Sequence, residues 1–286
     1  MSAPPPVSVV VRTRNRPLGL REALESLAAQ THSPLEAVVV NDGGAPVRAI
    51  VEEVLGATAV TWMLVEWPDN RGRERAGNAG LAAARGDYLG FLDDDDVLYP
   101  EHVATLIAHL GAHPAERVAY TDAWQATQEP DASAPSGYRT TARELALSWD
   151  VNPEEFRQRN WIPLHCVLFH RECLAVVGGF DEELRRLEDW DLLLRLSWRF
   201  PMTHLKRVTA EYRHRTDHPR LEDPLGFGST PAYVAALTRI RAKDPRRSAA
   251  GGRGAEVPAR DRIVTPPGSP PAEPRRSPTR WWRLFS

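Results

Sequence analysis

The sequence predicts an α/β domain with a mostly parallel sheet flanked by helices, and three observations lead there. Short β-rich apolar runs alternate with stretches of helical period through the first half of the chain, the habit of strands covered by helices. Several of those runs end in polar clusters, as strand ends do where loops gather around a ligand. The composition, 42% hydrophobic and 26% charged over 286 residues, suits a chain able to bury a sizeable core.

Val7 to Val11 is the first strand. After Thr13-Arg14-Asn15-Arg16, Pro17 suits the first turn of a helix, and Leu20, Leu24 and Leu27 follow at helical spacing. Leu35 to Val40 is the second strand, ended by Asn41-Asp42-Gly43-Gly44, residues that tolerate positive φ. Val47 to Leu55 forms the next helix and Val60 to Val65 the third strand. Arg73 to Arg85 is Ala-rich and helical, Gly86 stops it, and Asp87 to Leu92 is a fourth strand running straight into Asp93-Asp94-Asp95-Asp96. Glu129 to Gly137, rich in Pro, Ser and acids, reads as a surface loop between two subregions. Beyond it, Cys166 to Phe169 is a strand and Gly178-Gly179-Phe180 a turn. Asp189 to Phe200 is a helix with Leu193 and Leu196 facing inward, and Val208 to His214 is a last strand.

From Pro245 onward the chain holds eight prolines among Arg, Ser and Gly, too little apolar burial to offset the entropy of ordering, so a disordered tail is expected. That tail carries nine Arg and three acids, a net of +6, which leaves -8 on the body. The whole chain is nearly balanced, 36 Lys and Arg against 38 Asp and Glu, and gives no reason to expect nucleic acid as a partner. Its end, Arg280-Trp281-Trp282-Arg283-Leu284-Phe285, reads as a plain terminus or as a peripheral contact with an anionic membrane face. Cys166 and Cys173 lack zinc-type partners and read as reduced core residues. The N-terminus lacks the pattern of a signal peptide and no run reaches roughly 18 apolar residues, so the expected compartment is the cytoplasm.

Strand alternation brings Thr13 to Arg16, Asn41 to Gly44 and Asp93 to Asp96 to one rim, which is the main argument for a site. Four successive carboxylates usually sit on a solvated loop, but here Tyr88 to Leu92 and Val97 to Pro100 pin the run on both sides. Mg²⁺ and Mn²⁺ favour one or two carboxylates plus phosphate oxygens, which suits it. Asp42 reads as a strand-ending turn residue or as an acceptor for the imide of a pyrimidine base. Glu188 and Asp189 cap a helix, and a carboxylate oriented there beside apolar Trp190 can also serve as a base. Of the histidines His165, His214 and His218, the strongest candidate is His214.

Gly86 to Asp96 (GDYLGFLDDDD) resembles the DxD region of glycosyltransferase family 2, whose members have a GT-A fold, a Rossmann-type sheet. In the family's order, Val7 to Pro17 resembles its first strand and nucleotide loop, Val38 to Gly44 its base-contacting strand end, and Asn70 to Gly80 its NxG...NxG segment. Val177 to Asp181 and Leu187 to Leu196 resemble its acceptor-side turn and Glu-Asp motif. The resemblance implies inverting transfer of a sugar from a nucleoside diphosphate, UDP or dTDP rather than GDP, to a hydroxyl of a sugar, lipid-linked or protein acceptor. It implies Mg²⁺ or Mn²⁺ held by Asp93 and Asp95, with His214 where some GT-A enzymes place a metal-binding His, and Asp94 at the ribose or metal. Thr13, Asn15, Asp42, Arg75 and Asn78 would hold the nucleotide-sugar, and Asp189 would be the base, with Glu188 its rival.

The expected layout is a catalytic domain over 1–244, with a nucleotide-sugar half 1–128 and an acceptor half 129–244, then the tail 245–286. Two departures stand out. Gly77 occupies the place where the family usually has Arg before the second Asn, and Asn41-Asp42-Gly43-Gly44 replaces the commoner Asp-Asp-Gly-Ser. Gly77 keeps open a catalytically weak or inactive sugar-nucleotide-binding protein. Metal-dependent nucleotidyl transfer would leave the Glu-Asp motif unexplained.

Overall fold

The valine-rich runs form the middle of the sheet, where both faces are covered and a continuous apolar strand is the stable solution. The computed structural model describes residues 4–146, 148–217 and 231–244, and Met1–Lys243 is one compact unit. The strands are β1 (Val7–Thr13), β2 (Leu35–Asp42), β3 (Thr61–Trp67), β4 (Tyr88–Asp93), β5 (Val97–Leu98), β6 (Val118–Pro130), β7 (Tyr138–Leu145), β8 (Val167–His170) and β9 (Met202–Arg215). They form one sheet in the order β3-β2-β1-β4-β8-β6-β9-β5, with β7 added to β6. β1 to β4 run parallel, β8 is antiparallel to both β4 and β6, and β6 and β9 are parallel.

Helices α1 (Pro17–Ala28), α2 (Arg48–Leu55), α3 (Arg73–Ala83), α4 (His102–Ala112), α5 (Pro153–Phe156), α6 (Cys173–Val177), α7 (Glu188–Ser197) and α8 (Pro231–Ala242) accompany the sheet. The strand period of two sends Val7, Val9 and Val11 into one apolar layer with Leu20, Leu24 and Leu27 of α1. Val10 goes to the opposite layer, with Ala76 and Leu81 of α3 and Leu193 and Leu196 of α7. Each such fully buried Val or Leu side chain contributes roughly 1.5–3 kcal/mol. Cys166 and Cys173 are buried free thiols, as expected.

Several elements differ from expectation. The helix expected at Asp189–Phe200 is Glu188–Ser197. β6 passes straight through the expected division at residue 128 and ends at Pro130, so the surface loop shortens to the connection between β6 and β7. The reason is that Ala123 and Ala126 of β6 are buried while the residues between them pair along β7 and β9. α4, with Val103, Leu106, Ile107 and Leu110 on its buried face, and α8 lie where no element was expected. Residues 245–286, with the expected disordered and membrane-facing tail, and His218 lie outside the described residues.

Candidate active site

The rim at the ends of β1, β2 and β4 is wired by its own charged side chains. Arg12, the second-last residue of β1, is 6% exposed. Its Nε and a terminal nitrogen donate to the two oxygens of Asp93, both at 2.8 Å. The other terminal nitrogen lies 3.6 Å from Glu188. On the far side of Glu188, Arg73 at the start of α3 donates at 3.1 Å. Behind Arg73, Asp42 accepts the backbone N–H groups of Arg71 at 2.6 Å and Gly72 at 3.0 Å. Gly72 has φ +107°, a conformation open to glycine and strained for other residues. Residues 42, 71 to 73, 188, 12 and 93 thus form one continuous chain of contacts around the rim.

The acid run is held at each member. Asp94 accepts from the Thr13 hydroxyl at 2.8 Å, the Arg14 amide at 3.2 Å and Arg16 at 3.0 Å. Asp95 pairs with Arg16 at 2.6 Å. Asp96 is buried and pairs with His165 Nδ1 at 3.0 Å while accepting the backbone N–H of Arg213 at 2.8 Å. Asn15, with φ +57°, accepts from the Ala45 amide at 2.9 Å and so ties the β1 loop to the β2 loop.

These surroundings decide the charge states. Burial works against the Asp93 anion, but Arg12 and Arg73 outweigh it and hold its carboxyl below the usual range. Burial and the adjacent Asp96 charge push the Asp95 carboxyl up to about 7 in spite of Arg16. Burial also raises Asp94, against the pull of Arg16 and Thr13. Burial and then Asp189 raise Glu188, against Arg73 and Arg12. His165 is buried, which disfavours its cation, yet Asp96 lifts it well above the ordinary value.

Burial and like-charge crowding thus work against the Asp94 and Asp95 anions, a cost that their protein partners do not fully offset. An oxygen-rich donor set with Asp95 partly open to water fits Mg²⁺ or Mn²⁺, whose binding would relieve that repulsion.

Most of the expected residues meet at this rim. Thr13, Asn15, Asp42, Asp93, Asp94, Asp95, Glu188 and Asp189 stand there. His214 follows Arg213 on β9, with its ring 4.5 Å from that of Tyr212. Glu188 is 1% exposed, whereas Asp189 is partly open to solvent and accepts the Trp190 amide at 2.7 Å.

Arg75 and Asn78 turn elsewhere. Asn78 grips the turn at residue 180 from both sides, donating to the Phe180 carbonyl at 3.0 Å and accepting its N–H at 2.7 Å. Arg75 pairs with Glu182 at 3.2 Å. Gly77 has a packing reason: a Cβ there would lie 2.4 Å from the Phe180 ring.

Sequence reasoning missed the parts played by Arg12, by His165 with Asp96, and by the Arg213 amide. For Arg12 a signal existed, a single cation closing the apolar run VSVVV.

With that geometry in place, the comparisons decide the family. The family model described as "Glycosyl transferase family 2" matches residues 8–172, more than half the chain. The chain belongs to glycosyltransferase family 2. It is 29% identical over 192 residues to the uncharacterized glycosyltransferase YwdF of Bacillus subtilis, covering 66% of this chain and 67% of YwdF.

Among solved structures, S. aureus TarS in complex with UDP superposes with a TM-score of 0.59 at 18% identity, covering 82% of this chain and 64% of that one. Mannosyltransferase PcManGT from Pyrobaculum calidifontis, in complex with GDP-Man and Mn2+, gives 0.54 at 17% identity, covering 87% and 76%. Both likenesses show the fold, that of GT-A glycosyltransferases, and the protein is a glycosyltransferase of family 2. The chain spans about two thirds of YwdF and of the TarS chain in length. No helix among the described residues is long and apolar enough to cross a membrane.

Proposed function

We propose that this family 2 glycosyltransferase moves a sugar from a nucleoside diphosphate to an acceptor hydroxyl with inversion at the anomeric carbon. The observation that carries this reading is the chain of contacts from Asp42 through Arg73, Glu188 and Arg12 to Asp93. It holds a nucleotide-side carboxylate, the acid run and the Glu-Asp pair on one rim at fixed spacing, the orientation a displacement reaction needs.

Asp189 accepts the acceptor's proton, because it is the member of the pair that solvent and substrate reach. Glu188, enclosed between two arginines, positions the start of α7. Thr13 and Asn15 shape the nucleotide loop, and Asp42 accepts from the imide of a pyrimidine base through lone pairs left after the Arg71 and Gly72 amides are served. UDP or dTDP donors follow from that contact. TarS supports it through its UDP complex, while PcManGT with GDP-Man shows the same fold serving a purine.

Asp95 and Asp93, with His214 as the nitrogen ligand, would hold Mg²⁺ or Mn²⁺, and PcManGT's Mn2+ supports that choice. Such an ion would neutralise charge growing on the departing diphosphate. The domain runs over 1–244, with donor-side residues before 128 and acceptor-side residues after it. The packing of Gly77 against Phe180 accounts for the glycine without invoking an inactive site.

The test is Asp189→Asn. Donor affinity, read by titration calorimetry with the diphosphate sugar, stays near wild type while transfer falls by roughly two to four orders of magnitude. Transfer at the normal rate, or a loss matched by an equal loss of donor binding, overturns the assignment.

A further inference from the structure

Away from the rim, the last turn of α4 and the four residues after it bring two histidines and a glutamate together. His109 and His113 are four apart, the spacing that places two side chains on one helix face. Their rings stack at 4.2 Å between centroids and 25° between planes. Glu116 follows the helix, with a carboxylate oxygen 2.8 Å from His109 Nε2. One ligand atom from each of the three lies within 4.8 Å of the other two. Tetrahedral zinc, with bonds of roughly 2.0–2.1 Å, spaces its ligand atoms by about 3.4 Å, within reach of small side-chain rotations.

Two further contacts are of the kind that metal ligands make. A ligating imidazole usually donates its second N–H to a carbonyl, and a ligating carboxylate is itself hydrogen-bonded. His113 Nδ1 stands 2.8 Å from the His109 carbonyl oxygen. A carbonyl only accepts, so that nitrogen carries the hydrogen, and in the neutral ring the Nε2 lone pair is left for a ligand. Glu116 accepts from the Thr203 hydroxyl at 2.5 Å.

We propose that His109, His113 and Glu116 bind a borderline transition cation, Zn²⁺, in a site separate from the acid run. Two imidazoles and one carboxylate favour zinc, whereas the acid run supplies mainly carboxylate oxygens suited to Mg²⁺ or Mn²⁺, so the two sites select different classes of ion. The location fits a structural clip. Glu116 precedes β6 by two residues and Thr203 stands near the start of β9, where Val118 pairs with Met202. β6 continues the direction of β4, so this is the end of the sheet opposite Asp93. The ion fastens the end of α4 to the two strands that begin there.

The experiment uses the full chain at pH 7.5, with Zn²⁺ titrated against a chromophoric chelator and melting recorded in Zn²⁺ or Mg²⁺. Wild type takes up one tight Zn²⁺ and melts higher with Zn²⁺ than with Mg²⁺. Because His113 is exposed, His113→Ala folds normally, melts within about a degree of wild type without zinc, and binds zinc at least about 100-fold more weakly. Glu116→Gln also weakens uptake, and Asp95→Asn leaves it unchanged. Absence of Zn²⁺ uptake by wild type leaves an ordinary His109–Glu116 pair and overturns the proposal, as does uptake that survives both His113→Ala and Glu116→Gln. The readout is ion uptake, so sugar transfer can fail without touching it.

Discussion

Arg12→Gln removes the cation at the centre of the rim. In the wild type its guanidinium serves both oxygens of Asp93 and faces Glu188, and it is 6% exposed. Breaking a buried pair by deleting one partner costs about 3–5 kcal/mol, because the other charge is left uncompensated. Asp93 keeps a side-chain exposure of 34%, so water screens part of that loss. Glutamine also retains one donor, and the expected cost is about 2–3 kcal/mol at pH 7.

The sign of the pH dependence follows from the carboxyl. With Arg12 present, Asp93 titrates below its unfolded value, so its contribution is present above about pH 4 and fades as pH falls through the folded value. Without Arg12, Arg73 is left as the main cation opposing burial, so the carboxyl sits higher than in the wild type, and the variant takes up a proton at higher pH and is relieved by it. The stability gap between the two proteins therefore narrows from pH 7 to pH 4.5. Urea unfolding followed by tryptophan fluorescence at both pH values measures it. A loss under about 0.5 kcal/mol at pH 7, or a gap that stays constant, refutes the argument that Arg12 neutralises Asp93.

Three other outcomes are expected. Gly77→Arg, which restores the family's usual residue, collides with the Phe180 ring and lowers stability by about 1–3 kcal/mol, read as a drop in Tm. An unchanged Tm with faster transfer would instead favour a phosphate-binding Arg at this position. Asn78→Ala abandons both backbone groups of Phe180 and costs about 1–3 kcal/mol, while donor affinity in calorimetry changes by less than about threefold; a large loss of affinity would return Asn78 to the nucleotide. Glu188→Gln keeps transfer within about tenfold of wild type, far above Asp189→Asn, and equal losses in the two variants would contradict the division of labour between them.

The parallel half was legible because burial on both faces leaves a continuous apolar run. Val7 to Val11, Leu35 to Val40 and Asp87 to Leu92 each found a strand, and each polar cluster at the site lay where such a run stopped. β6 was not read as a strand at any point, since Trp124 to Pro130 shows no clean alternation and takes its order from β7 and from β9, a strand remote in sequence. α4 carried a readable signal in Val103, Leu106, Ile107 and Leu110, a buried stripe at helical spacing that the acid run beside it overshadowed. Within the site, residue types pointed to the chemistry, but the pairings did not follow from spacing. That Arg12 faces Asp93, that His165 faces Asp96, and that Asn78 closes on Phe180 are long-range contacts set by how α3, α7 and the loop before β8 pack.

The bond from the Arg213 amide to Asp96 spans 117 residues and carries a consequence in time. A ribosome adding about 5–20 residues each second presents the acid run on the order of ten seconds before Arg213 exists. Through that interval β9 is absent, and β5, which pairs with β9 at Val97 and Leu98, has no neighbour to align it. The parallel pairing of β6 with β9 is also among the slower contacts to form, since long-range closure must precede its reward. Asp93 to Asp95 meet Arg12, Thr13 and Arg16 from chain already made, whereas Asp96 waits for His165 and Arg213, so an unfinished chain holds the acid run from one side only.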